Sequence, residues 1–244
     1  MTVNEMYDQI RSAFEKLKGS EELMNEKVII RADELPERQL MPEDYVPFKG
    51  KRAEYRLKAE FLGSAGEAYT EAPENFDGTL REALALKPTD RGMDARFLAA
   101  LNAAMSHMGY CCGAWEDSLK AHEAYAEELY RYVTENYGKS RIVLVGYDGY
   151  IVKKFSESGM DFWTLDRDPD NISQKRFDQL VVNSARLNRE SCFKWAKLML
   201  VTSSALCNGT ISQFIDKGPE ILLYGITGAG ASKFIDIPYF EVKR

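Results

Sequence analysis

Histidine is scarce in this chain of 244 residues, with His107 and His122 the only two. A Ser-His-Asp arrangement has almost nothing to draw on, and no G-x-S-x-G elbow is present. Cysteine is limited to Cys111, Cys112, Cys192 and Cys207. One adjacent pair and no C-x-x-C spacing make a poor disulfide framework, so reduced thiols are expected. No Lys/Arg block occurs, and 38 acidic residues against 32 basic ones give a formal charge of -6. The electrostatic footprint of a nucleic-acid binder is missing. No apolar run approaches the roughly 20 residues of a membrane helix, and the polar start MTVNEMYDQIRSAFEKL lacks the profile of a targeting segment. These absences point to a cytoplasmic protein with neither nucleic acid nor membrane as partner.

What remains suits one large or two small domains, and 45% hydrophobic content is enough for a real core. The first half reads as α+β. Tyr7, Ile10, Phe14 and Leu17 recur at helical spacing before Gly19. Residues 33–50, with three prolines, suggest an irregular connection. Strict alternation from Ala53 to Phe61 predicts a half-exposed antiparallel strand, and Gly63-Ser64-Ala65-Gly66 a hairpin turn. Thr79 with Glu82 fits a capping box for a short helix through Leu86. Phe97, Leu98, Leu101, Met105 and Met108 mark the next helix, ended by Gly109. A longer one is expected over 116–135, with Leu119, Ala126, Leu129 and Val133 facing inward.

A polar stretch at 136–140 marks the expected boundary, dividing the chain into residues 1–137 and 138–244. Beyond it, apolar runs at 141–145, 161–165, 197–202 and 220–224 alternate with helical segments near 150–158, 186–195 and 209–217. A short strand near 179–182 and an edge strand at 239–242 complete the pattern. This predicts a doubly wound parallel sheet.

Three of these strands end in small or hydroxylated residues, and such ends line the ligand-binding edge of a parallel sheet. Gly146-Tyr147-Asp148-Gly149 follows the first, and Asp166 ends the second twenty positions after Gly146. In nucleoside sites this spacing sets backbone amides against the ligand and an acid against the ribose. The glycines equally permit a plain strand-to-helix turn, and Asp166-Arg167-Asp168-Pro169 a solvated one. Thr202, Ser203, Ser204, Asn208 and Thr210 offer hydroxyls and an amide beside a helix start that favours anions; Asn208 could also simply cap its own helix. Gly225 to Gly230 should lie alongside. His107, Cys111 and Cys112 are close enough to suggest soft-metal ligands, although buried cysteine usually behaves as a small hydrophobe.

At these loops the chain resembles a prokaryotic family known as the putative heavy-metal chelation proteins. The residues that carry the resemblance are Val145-Gly146-Tyr147, Leu165 to Pro169, Thr202 to Thr210 and Leu223-Tyr224-Gly225, with Ala99 to Ala103 upstream. The resemblance implies an enolase N-terminal-like α+β domain followed by a Rossmann-like α/β domain, with a site in the cleft between them. Ser203 and Ile226 stand where that family typically has glycine and proline.

The leading expectation is an interdomain site for a small molecule, a divalent metal or a metal-chelating metabolite. Its contacts would be Gly146, Asp148, Asp166, Ser203, Ser204, Asn208, Thr210 and Gly225, with Thr70 and Asn102 reaching from the first domain. An enzyme using an adenosyl or other nucleoside cofactor, with Asp166 as an exposed carboxylate on the ribose, is the alternative. A non-catalytic docking protein is a third reading, and homo-oligomerisation is left open.

Overall fold

Thr2 opens helix α1 (Val3–Glu15) through a capping box, its hydroxyl accepting the Glu5 amide while the Glu5 carboxylate accepts the Thr2 amide. The computed structural model describes residues 2–34, 55–114, 118–168, 171–183 and 189–241. Met6, Tyr7, Ile10 and Phe14 form the buried stripe of α1. A one-turn helix, α2 (Ser20–Leu23), follows Gly19, whose φ of 87° only glycine adopts freely.

The first sheet is antiparallel, in the order β3-β2-β1-β4. Its strands are β1 (Lys27–Glu34), β2 (Tyr55–Phe61), β3 (Ser64–Thr70) and β4 (Phe76–Thr79). The predicted alternation is present in β2, where Leu57, Ala59 and Phe61 are buried; Ala53 and Glu54 lie outside the described residues. The hairpin turn sits earlier than expected. Phe61 pairs with Ser64, so Leu62 and Gly63 alone make the turn, with φ of 45° and 78° as a two-residue primed turn requires. Gly66 therefore belongs to β3, where a Cβ would lie 2.2 Å from the Ala103 amide nitrogen and 2.3 Å from the Ala99 carbonyl oxygen.

The Thr79/Glu82 capping box starts α3 (Leu80–Leu84) as read from the sequence. Helix α4 (Ala95–His107) is buried nearly all round from Phe97 to Met105, because it lies between the first sheet and the second unit. Helix α5 (Leu119–Tyr137) is capped by Ser118 and buries Tyr125, Ala126, Leu129 and Val133. Leu119, expected to face inward, is 48% exposed because it sits in the first turn, ahead of the buried stripe.

The second sheet has the order β10-β9-β5-β6-β8-β7. Its strands are β5 (Ile142–Val145), β6 (Phe162–Asp166), β7 (Lys175–Arg176), β8 (Gln179–Asn183), β9 (Leu198–Thr202) and β10 (Glu220–Tyr224). Helices α6 (Gly149–Glu157) and α7 (Arg189–Trp195) make crossovers. Strands β10, β9, β5, β6 and β8 are parallel, but β7 runs antiparallel to β8. This edge hairpin departs from the all-parallel expectation because Phe177 and Asp178 take φ of 46° and 62° and reverse the chain in two residues. The helix expected over 209–217 is absent: only a 3-10 turn at Thr210–Gln213 forms, between left-handed Gly209 and left-handed Asp216. The expected edge strand at 239–242 is reduced to a single parallel bridge from Tyr239 to Leu223, and Val242 lies outside the described residues.

Ile142, Leu144, Leu198, Leu200 and Leu222 face α5 and α6. Val143, Val145, Met199, Val201 and Leu223 face the other way and share one continuous core with α1, α4 and the first sheet. Burying each such side chain contributes about 1.5–3 kcal/mol, against about 1 kcal/mol for a typical hydrogen bond. Apolar contact therefore dominates the union of the two halves, and polar contacts fix its register.

Candidate functional site

The strand order reverses between β5 and β9, which places a crevice at the carboxyl ends of those two strands. At its floor Gly146, with φ of 93°, lets β5 end against β9; a Cβ there would meet Thr202 Cγ2 at 2.7 Å. The Tyr224 hydroxyl donates toward the carbonyls of Gly146 (2.9 Å) and Val145 (3.1 Å), tying the end of β10 to that of β5.

Asp166 faces this loop but is engaged by it. Its Oδ2 accepts from the Tyr147 amide at 2.8 Å and from Asn171 Nδ2 at 3.2 Å. Its Oδ1 accepts from the amides of Arg167 (2.5 Å) and Asp168 (2.8 Å). Four donors on one half-buried carboxylate make it the pin between two loops, so the description as an exposed carboxylate does not hold.

Asp148 caps α6, with Oδ1 accepting from the amides of Tyr150 (3.0 Å) and Ile151 (2.9 Å). Loss of water raises its carboxyl pKa, against the two amide bonds and nearby His122, which lower it. His122 is stacked on Tyr150 with ring centroids 5.2 Å apart. With the folded pKa above the unfolded one, ionisation weakens the fold. That loss is absent below the unfolded carboxylate range and develops as pH rises through the raised folded value. Asp148→Asn keeps a good N-cap without the charge. It should be more stable than the unmutated protein at pH 7, with the gap closing as the pH is lowered to about 3. Urea midpoints at both pH values check this, and a variant weaker at pH 7 would contradict it.

Ser203 is fully buried, its Oγ donating to the Gly225 carbonyl (2.8 Å) and accepting from the Gly228 amide (2.9 Å). Asn208 and Thr210 hold each other, Asn208 Oδ1 accepting from the Thr210 amide (3.1 Å) and hydroxyl (2.6 Å). Thr70 Oγ1 accepts from the Ala72 amide at 3.0 Å. Asn102 does reach the second unit, but fully buried: Nδ2 donates to the carbonyls of Glu67 (2.8 Å), Ile226 (3.1 Å) and Thr227 (3.1 Å). Its Oδ1 accepts from the Gly230 amide at 2.7 Å.

The structure thus brings Gly146, Ser203, Ser204 and Gly225 to one edge and carries Asp148 and Asp166 on the loops beside Gly146. Thr202 and Ser204 hydroxyls lie 3.4 Å apart and half-buried. Gly225 takes φ of 84° and leaves its α-carbon face open: a Cβ there would meet only Ser203 Oγ at 3.6 Å and Thr202 Oγ1 at 3.9 Å. Tyr125 accepts from the Gly225 amide (2.8 Å), and Tyr239 donates to its carbonyl (2.9 Å). Burial pushes both phenols well above their ordinary range. Sequence reasoning missed these two tyrosines and Thr227, whose Oγ1 accepts from the Tyr69 amide at 3.0 Å. The inward positions expected on α5 are Leu119, Ala126, Leu129 and Val133; Tyr125 is not among them, and nothing in sequence shows which strand end its hydroxyl meets.

His107 is exposed and set edge-on to Phe61, with centroids 5.8 Å apart. Among the described residues no group of three or more His, Cys, Asp or Glu side chains is placed to hold a metal ion. An open hollow of about 400 Å³ lies at the hairpin of the first sheet, lined by Lys27, Lys58, Glu60 and Leu62 among others. None of the strand-end residues Gly146, Asp148, Asp166, Thr202 to Thr210 or Gly225 lines it. Among the described residues no helix is long and apolar enough to cross a membrane.

Comparison with solved structures finds two proteins of unknown function from the DUF364 family. One, from Pyrococcus horikoshii, is 16% identical with a TM-score of 0.46, covering 91% of this chain and 80% of that one. The other, from Desulfitobacterium hafniense, is 11% identical with a TM-score of 0.46, covering 94% and 81%. Comparison with curated proteins finds no match. Residues 131–235 match the family model DUF364, whose description reads "Putative heavy-metal chelation". Over that segment, which holds every strand-end loop described above, the chain is similar to the heavy-metal chelation family that its sequence already resembled.

Proposed function

We propose that the chain binds a small oxygen-rich ligand, a metal chelate or a chelating metabolite, at the open face of Gly225. One observation carries this reading: a glycine where an added Cβ would meet nothing closer than the Ser203 and Thr202 hydroxyls, beside the half-buried Thr202–Ser204 hydroxyl pair and held by Tyr125, Ser203 and Tyr239. A crevice at the strand ends, where the strand order reverses, with a few fixed polar groups is the ordinary form of a small-molecule site. The match of residues 131–235 to a chelation family supports the ligand class.

The nucleoside reading finds less support. Asp148 Oδ1 already caps the start of α6, and both oxygens of Asp166 already accept backbone amides, so the helix start and the acid that a phosphate and a ribose would use are engaged within the fold. We further propose that the antiparallel unit is enolase N-terminal-like and the parallel one Rossmann-like. The boundary would fall ahead of α5, because α5 packs on the second sheet. Cysteines outside any disulfide favour a cytoplasmic setting.

Native mass spectrometry with metal analysis of the purified protein should reveal a retained organic ligand or chelate. Removing both hydroxyls in Thr202→Val/Ser204→Ala should weaken its retention about tenfold, since each lost hydrogen bond is worth roughly 0.5–1.5 kcal/mol. Equal retention by the double variant would remove this reading.

A further inference from the structure

The loop after α4 carries two adjacent cysteines that none of the contacts above explains. Cys111 and Cys112 are both half-buried, and neither is in a disulfide. The sequence placed them in the first domain, yet the fold brings them to the seam. The Cys112 amide donates to Glu241 Oε1 at 3.2 Å, and the other oxygen of Glu241 pairs with Lys233 at 2.5 Å. The phenol of Tyr239, which holds the Gly225 carbonyl, lies within electrostatic reach of both thiols.

The pair is also held in place. Gly113, the next residue, fits where a Cβ would lie 2.3 Å from the Ala65 carbonyl oxygen and 2.6 Å from that of Asn102. Its carbonyl accepts the Glu67 amide at 2.8 Å. Cys112 Sγ is directed to the Ala114 carbonyl at 3.0 Å, and Cys111 Sγ lies 3.9 Å from that of Asn102. The other two cysteines are in the core, 1% and 9% exposed, and burial pushes the Cys192 thiol up to about 11.

Two thiols without a third or fourth His, Cys, Asp or Glu ligand among the described residues do not suit zinc, which takes four. Thiolate ligands do suit soft monovalent ions. We propose that Cys111 and Cys112 form a two-thiolate site for a soft monovalent cation of the Cu(I) or Ag(I) type. In binding, each thiol loses one proton to solvent and each sulfur donates one electron pair, with no change of oxidation state. The inference rests on the reading that this seam handles metal, and it names the ion class.

The test is anaerobic titration of the full-length reduced protein with Cu(I), presented against the chromophoric competitor bathocuproine disulfonate. About one equivalent per chain should bind, and X-ray absorption at the copper edge should show sulfur neighbours only. Cys111→Ser/Cys112→Ser should weaken binding by more than the roughly 10–100-fold typical of losing an outer-shell partner. Cys192→Ala should bind Cu(I) as the unmutated protein does. Should the cysteine variant fold poorly, the absorption spectrum of the unmutated protein decides by itself. An oxygen or nitrogen shell, or no binding at all, overturns the proposal. Cu(I) retained by the cysteine variant but lost from Thr202→Val/Ser204→Ala overturns it too, while leaving the Gly225 site standing.

Discussion

Asn102→Leu should lower the free energy of unfolding by at least about 3 kcal/mol, since each buried polar group left without its partner costs about 1–3 kcal/mol. The residue is wholly inaccessible to water. Three carbonyls, on β3 and on the 226–228 turn, accept from its Nδ2, and the Gly230 amide donates to its Oδ1. Leucine nearly preserves the volume, so the loss would come from orphaned backbone groups rather than from a cavity. Urea denaturation measures it directly. A shift below about 1 kcal/mol, the size of one ordinary hydrogen bond, would mean that these groups find water or other partners.

A second large loss is expected from Gly66→Ala. The added methyl group would fall 2.2 and 2.3 Å from main-chain atoms of α4, and main chain cannot rotate away as a side chain can. Helix α4 must therefore move off β3, at a cost near the top of the roughly 1–3 kcal/mol found for overpacked cores. Gly63→Ala provides the contrast. Its φ of 78° is strained for alanine, but nothing lies within 4 Å of the new atom, so roughly 1 kcal/mol should be lost. Thermal and urea unfolding of the two variants should rank them in that order. The reverse order would show that the helix-to-strand approach is more yielding than its distances imply.

These two residues also show where sequence reading stops. Strands β5, β6, β9 and β10 were legible because a buried parallel strand is an apolar run that ends at a polar loop, a purely local pattern. Strand β1 was not. Its Val28-Ile29-Ile30 core is short and flanked by charges, and its place at the centre of a sheet depends on partners some thirty to fifty residues away. Gly66 read as a turn residue because glycine serves both loops and close packing, and only the position of α4 distinguishes the two. At the level of loops, the strand ends that carry Gly146, Ser203, Ser204 and Gly225 do lie together, as expected. The roles of the individual residues were not legible. Asp166, Ser203 and Asn102 look from sequence like groups offered to a ligand, whereas in the fold their polar atoms are directed at neighbouring backbone. Whether a carboxylate faces solvent or an amide on the next loop is a matter of a few ångströms that no spacing rule encodes.

The continuous core shared by α4, the first sheet and the inner face of the second sheet has a kinetic consequence. Two units joined by a thin polar contact could swing apart to admit a ligand, and exchange would then wait on that opening. Here any such motion would expose Val143, Val145, Met199, Val201 and Leu223 together with the flank of α4. At about 1.5–3 kcal/mol for each side chain, that cost rivals the whole stability of a typical domain. A ligand at the proposed Gly225 site would therefore come and go along the rim formed by residues 202–204 and 225, past side chains that reorient in nanoseconds. Its residence time would be set by the contacts it makes there.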